Sequence, residues 1–239
     1  MRRFFAGPES FDGTTVTLST DETRHLRDVL RLKAGEDVYV FDGMGREYEC
    51  SIEEISKKHS KLLITRETPP ASPESPLDLT LAATVLNGER YDLIVQKSVE
   101  LGVKTLVPLI TIRCEAKLRD AERRVERWRR IALEATKQSG RATLMHISGP
   151  AEFTELIKNA AAGDLVMFSE RDGTGFSAVP AVKKLTALIG PKGGWDDSEL
   201  ETARSMGARV ITLGGRILRA ETAAIALTSL LQHRFGDLN

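Results

Sequence analysis

The residues best placed to do chemistry lie in two glycine-bearing loops in the last quarter of the chain. The first reads Ile189-Gly190-Pro191-Lys192-Gly193-Gly194-Trp195. The second reads Leu213-Gly214-Gly215-Arg216-Ile217-Leu218-Arg219 and runs into Ala220-Glu221-Thr222-Ala223. Each follows a short apolar run of strand character. Glycines after strands let a ligand approach the backbone and leave amides free to donate. In an open parallel sheet, ligands bind beyond the carboxyl ends of the strands. One such loop reads equally well as a tight strand-to-helix turn. Two of them close in sequence favour a binding site. Neither is a triphosphate cradle, because Lys192 precedes the glycine pair and no Ser or Thr follows it. No G-x-G-x-x-G opens a helix either, so nicotinamide dinucleotides lose support.

Other chemistries are weaker. His25, His59, His146 and His233 have no partner at metal-ligand spacing, and Cys50 and Cys114 stand alone, so no metal site is expected. No G-x-S-x-G elbow is present. Glu89, Glu100, Glu134, Glu170 and Glu221 are the acid–base candidates, most of them expected to be surface carboxylates. Glu221 stands apart because it opens a helix directly after a glycine loop, although the helix dipole alone favours Glu there. Basic residues gather in two places. Residues 113–141 hold ten Lys or Arg against five Asp or Glu. At helical spacing, Val125, Trp128, Ala132 and Ala135 form one face, while Arg123, Arg127 and Arg130 form another, with Lys137 roughly in line. Arg24, His25, Arg27, Arg31 and Lys33 make a smaller cluster. Both read either as solvated faces with Glu–Arg pairs or as a track for RNA phosphates.

The elements that must position these groups fall into two blocks. The first 67 residues predict short strands at Arg2–Ala6, Thr14–Leu18, Asp37–Phe41, Arg46–Ile55 and Ser60–Glu67. One helix interrupts them, with Ser19 and Glu22 spaced as a capping box. That pattern suggests a small barrel. The stretch Thr68–Leu77, rich in Pro and Ser, reads as a linker. Domains are therefore expected at 1–70 and 78–239, joined by 71–77. Beyond the linker, strands at Leu79–Leu86, Lys104–Ile110, Thr143–Ile147, Asp164–Phe168, Leu185–Gly190 and Arg209–Leu213 alternate with helices. The helices span Glu89–Leu101, Arg119–Ser139, Glu152–Ala162, Asp197–Met206 and Glu221–Phe235, each followed by a glycine. Apolar strands without polar alternation predict an α/β parallel sheet covered on both faces.

Composition bounds the rest. The chain has 239 residues with 34 basic and 34 acidic side chains, so its net charge gives no bulk affinity for nucleic acid. Two cysteines are no disulfide framework and suit a reducing cytoplasm. The N-terminus has no apolar stretch of signal-peptide type, and no run approaches the ~20 apolar residues of a membrane helix.

The segments Ile189–Gly194 and Leu213–Ala223 resemble the signature loops of the SPOUT methyltransferases. More closely, they resemble the bacterial small-subunit rRNA uridine-N3 methyltransferases, the RsmE family. Other pieces agree in order along most of the chain: His25–Arg31, Glu89-Arg90, Gln96-Lys97, Glu100–Val103, Glu134-Ala135, Gln138–Arg141 and Arg234–Leu238. The resemblance implies S-adenosylmethionine bound in a C-terminal trefoil knot, an exception to the usual unknotted topology. The cofactor would lie on Ile189, Gly190, Pro191, Gly193, Gly194, Leu213, Gly214, Ile217, Leu218, Thr222 and Ala223. It further implies a homodimer, a PUA-like or OB-like N-terminal barrel that helps grip RNA, and a uridine of 16S rRNA, naked or in the small ribosomal subunit, as substrate. Three departures stand out. Lys192 replaces the family's usual Glu, Asn87-Gly88 stand where Lys is common, and no Pro follows Arg141.

Methylation of uracil N3 requires loss of a weakly acidic proton, so a guanidinium near O2 or O4 would stabilise the developing anion. Arg219 is the first candidate, with Arg141, from this chain or a partner subunit, as the second; Glu221 is the candidate base. The RNA-binding candidates are Arg24, His25, Arg27, Arg31, Arg123, Arg127 and Arg130. The alternatives are a 2′-O-ribose methyltransferase of the same superfamily acting on tRNA or rRNA, and a non-catalytic RNA-binding assembly factor.

Overall fold

The structure, a computed structural model, describes residues 2–116, 120–159, 165–179 and 181–238. The expected helix start at Arg119, the helix end at Ala162 with its Gly163 cap, and Asp164 lie outside the described residues. The chain divides into two compact units: Met1–Glu74 with Thr136–Leu144, and Ser75–Ala135 with Met145–Asn239.

The first unit is a curled, six-stranded mixed sheet in the order β1-β4-β5-β6-β3-β2. Its strands are β1 (Arg3–Phe5), β2 (Phe11–Asp12), β3 (Thr15–Leu18), β4 (Asp37–Phe41), β5 (Glu47–Ile55) and β6 (Ser60–Thr68). β1 pairs β4 in parallel and the other neighbours are antiparallel. Alternate residues Val38, Val40, Cys50, Ile52 and Leu62 point inward with Phe4, Val16, Leu18 and Leu26 to form its core.

Helix α1 (Thr20–Arg24) continues through a π turn at His25–Val29, where the Leu30 N–H donates to His25 O at 3.0 Å. The expected capping box is half made. Ser19 accepts the Glu22 N–H at 3.3 Å. The buried Glu22 carboxylate instead pairs with Lys137 and accepts the Phe5 N–H. The segment Thr136–Leu144 falls in this unit rather than with the rest of 78–239, and Arg3 supplies the reason. Its guanidinium donates to the carbonyls of Lys137 (3.0 Å), Thr136 (3.3 Å) and Arg141 (3.0 Å), and pairs with Glu47 at 2.6 Å. A buried cation thus adds donors to carbonyls at the end of a helix, where the dipole is negative. The expected strand at Thr143–Ile147 is split for the same reason. Thr143 bridges Gly43 and Met44 in the first unit, and only His146–Ile147 joins the second sheet.

The second unit is a wholly parallel sheet in the order β10-β8-β7-β12-β11-β13, with β9 beside β8. The strands are β7 (Asp78–Thr84), β8 (Thr105–Ile110), β9 (His146–Ile147), β10 (Ala151–Glu152), β11 (Leu165–Phe168), β12 (Lys184–Ile189) and β13 (Arg209–Ile211). Its helices are α2 (Glu89–Glu100), α3 (Ala121–Ser139, less its last turn), α4 (Phe153–Asn159), α5 (Asp197–Ser205) and α6 (Ala220–Phe235). Two buried clusters account for the unbroken apolar strands. Leu79, Leu81, Leu185 and Ala187 pack with α2, α3 and α6; Ala82, Met167 and Leu188 pack with α4 and α5. Val125, Trp128, Ala132 and Ala135 are buried on α3, and Arg123, Arg127 and Arg130 are exposed, as their spacing requires. Gly102, Gly140 and Gly207 end helices at positive φ. Gly236 does not: its φ is −111°, and α6 ends with Gly236 and Leu238 N–H groups both donating to Gln232 O.

Candidate functional site

The sheet order brings β11, β12 and β13 side by side, so the loops leaving their carboxyl ends converge. A cavity of about 270 Å³ lies among them. Its floor is apolar: Phe168, Ile189, Trp195, Ile211 and Leu227 are all buried and line it. Its rim is charged, with Glu170, Lys192 and Arg216 exposed. Such a cavity suits a flat apolar group held at one end and a charged group at the other.

Local packing shapes the first loop. The Trp195 indole N–H donates to Phe168 O at 2.7 Å, pinning the loop to the neighbouring strand. A Cβ at Gly190 would lie 2.9 Å from that indole, so the ring and the strand end meet only because residue 190 is glycine. Gly194 has φ +72°, and its N–H donates to Pro191 O at 3.0 Å, closing the turn. Asp196 then starts α5 with a complete capping box: it accepts from Ser198, and Glu199 accepts the Asp196 N–H. The Ser198 hydroxyl and N–H, with Arg113 adding its charge, hold the Asp196 carboxyl below the usual carboxylate range. Arg113 ties the loop to the end of β8 by donating to Gly193 O (3.2 Å) and Asp196 Oδ2 (3.1 Å).

Of the expected cofactor residues, Ile189, Gly190, Pro191, Gly193, Gly194, Leu213, Ile217, Leu218 and Ala223 line the cavity. Gly214 and Thr222 do not. Phe168, Ser169, Glu170, Trp195, Ile211, Ala220 and Leu227 are additional lining residues. Motif spacing could not reveal Phe168, Ser169 and Glu170, because β11 carries no glycine signature and joins the site only through strand order.

Arg219 is the N-cap of α6, exposed and outside the lining, one residue from Ala220, which does line the cavity. Glu221 is half-buried, with Arg90 Nε 4.0 Å away. Arg141 is elsewhere. It lies in the first unit, almost fully buried, and its guanidinium forks onto Glu74 at 3.1 and 2.7 Å. Of the cations around the loops, Lys192 and Arg216 line the cavity, and Arg219 directly precedes the lining residue Ala220. Among the basic candidates, Arg24 and Arg31 are exposed, and His25 is half-buried against the Phe4 ring. Arg27 is forked onto Asp28 at 2.7 Å through both bonds and also reaches Ser56 O. Arg127 pairs with Asp92, while Arg123 and Arg130 make no ion pair among the described residues.

A family model described as "RNA methyltransferase domain" matches residues 73–232, and one described as "RNA methyltransferase PUA domain" matches 18–65. The protein named ribosomal RNA small subunit methyltransferase E of Synechocystis sp. is 33% identical over 95% of this chain and 76% of its own length. The chain belongs to the methyltransferase E family. Two solved structures of this architecture hold S-adenosylmethionine. The methyltransferase E of Neisseria gonorrhoeae aligns with a TM-score of 0.92 at 32% identity, covering all of both chains. A methyltransferase from Legionella pneumophila aligns with the same TM-score and identity over 99% of each chain. This member of the family is therefore an RNA methyltransferase, and the loop cavity is where its sequence signatures and its geometry coincide.

Proposed function

We propose that this chain transfers a methyl group from S-adenosylmethionine to N3 of a uridine in 16S rRNA, acting as a homodimer in the cytoplasm. The observation that carries the reading is the cavity: two glycine loops meet over an apolar floor beyond parallel strands, with charge only at the rim. The residues present fit the cofactor. Ile189, Leu213, Ala223 and Leu227 offer an apolar bed for an adenine, and Gly190 and Gly194 keep the loop backbone where side chains would intrude. When bound, S-adenosylmethionine supplies a methyl group already activated on a sulfonium, so the protein has to align and to assist deprotonation.

Arg219, at the entrance of α6, is the guanidinium we assign to the uracil oxygens, where it would stabilise negative charge as N3 loses its proton. Glu221, half-buried and two residues further along, is the base candidate, with the Arg90 guanidinium 4.0 Å from its carboxylate. Arg24, His25 and Arg31 in the first unit, and Arg123 and Arg130 on α3, are the phosphate contacts of the reading; Arg27 and Arg127 would have to leave carboxylate partners to join them. The expected knot would hold the cavity loops rigid. Dimerisation is supported by α6, where Leu230 stays exposed although Ala224, Leu227 and Leu231 are buried on another face. Among the described residues no helix is long and apolar enough to cross a membrane. The test is transfer of a labelled methyl group from S-adenosylmethionine to 16S rRNA by the purified protein; RNA binding without transfer would leave only an RNA-binding protein.

A further inference from the structure

Three charged side chains reach the cavity rim, and their partners are unequal. Glu170 has Arg171 3.7 Å away and lies against the inner turn, since a Cβ at Gly194 would be 2.5 Å from its Oε1. Lys192 and Arg216 have no carboxylate partner among the described residues. The cavity therefore offers one negative pole beside the Gly193-Gly194 turn and a positive pole on the same loop. A ligand that satisfies both must itself carry both signs.

We propose that Glu170 and Lys192 recognise the zwitterionic amino-acid end of the cofactor, Glu170 taking its α-ammonium and Lys192 its α-carboxylate. The assignment rests on the cofactor reading above and deepens it. The apolar floor has no charged group to compete for that end, so an adenine seated there directs the amino-acid end outward to the rim. Neutralising either pole would leave one charge of the zwitterion without its partner. Because both poles are exposed, the gain is that of a solvated ion pair and falls with salt.

The experiment compares two ligands of the purified protein by titration calorimetry. S-adenosylhomocysteine carries the amino-acid end and no sulfonium; methylthioadenosine lacks the amino-acid end altogether. Lys192→Gln is expected to weaken S-adenosylhomocysteine about two- to fivefold, and Lys192→Glu more, in step with the charge. Glu170→Gln is expected to weaken it by a similar factor. All three should bind methylthioadenosine as the parent protein does, and the differences should shrink at high salt. Equal losses for both ligands would mean the cavity is merely deformed, and the proposal would be wrong. Unchanged S-adenosylhomocysteine affinity with weakened RNA binding would reassign Lys192 to an RNA phosphate. If the parent protein binds neither ligand, the cofactor reading itself falls, and this assignment with it.

Discussion

Gly194 and Gly207 form a matched pair for testing where the cofactor lies. Both hold left-handed backbone, with φ +72° and +83°. An added side chain at either costs about 1–2 kcal/mol in strain. Their surroundings differ. A Cβ at Gly207 meets nothing within 4 Å, whereas one at Gly194 meets the Glu170 carboxylate at 2.5 Å. That carboxylate ends a flexible, exposed side chain and can swing aside, so the collision alone is cheap. The consequence lies in the loop. In the free Gly194→Ala or Gly194→Val protein the loop relaxes out of the left-handed geometry, and binding must then restore it. If the cofactor needs that geometry, affinity falls by the strain, about 1–2 kcal/mol or roughly five- to thirtyfold, with valine at the upper end. Gly207→Ala should lose comparable stability, read as a lower thermal midpoint, and bind S-adenosylmethionine as before. Titration calorimetry on folded variants decides it. A folded Gly194→Val protein with unchanged affinity would refute the placement, because no strain would be returned on binding.

The buried Arg3–Glu47 pair makes a second prediction: Arg3→Ala leaves the Glu47 carboxylate buried and uncompensated and should cost about 3–5 kcal/mol in chemical denaturation. Burial pushes the Cys50 thiol up to about 12, so at pH 8 it stays protonated and should resist alkylation until the protein unfolds, while half-buried Cys114 reacts first. Mass mapping after a brief iodoacetamide pulse reads both sites. Arg123→Ala and Arg130→Ala should each weaken RNA binding and reduce its log–log salt slope by ~1, whereas Arg219→Ala should slow single-turnover methylation with RNA affinity mostly intact. Salt-independent, unchanged binding in the helix variants would make their arginines a solvated face.

Periodicity made much of this fold legible. The faces of α3 and the apolar strands of the second sheet follow from spacing alone, because their burial is local to each element. What spacing could not show depends on distant partners. Ser19 and Glu22 have the spacing of a capping box, yet Glu22 goes to Lys137, more than a hundred residues away. The complete box at Asp196 and Glu199 is masked in the sequence by the glycine loop before it, which reads as a turn. The grouping of Thr136–Leu144 with the first unit depends on Arg3, a residue that in sequence is only one of two N-terminal arginines. At the site, the glycine loops were visible and Glu170 was only one acid among several, since strand order, not motif, puts β11 beside β12. Arg141 follows the Gln138–Gly140 motif, and its fork onto Glu74 is a contact no local pattern encodes.

Methyl transfer to a base nitrogen of small-subunit rRNA leaves a product that can be read directly. The most direct measurement is mass analysis of nucleosides from 16S rRNA incubated with the purified protein and methyl-labelled S-adenosylmethionine. Label is expected in 3-methyluridine at a single position, and it should accumulate more slowly with Arg219→Ala. Label in a 2′-O-methylated nucleoside, or no label on RNA that the protein binds, would contradict transfer to the base nitrogen.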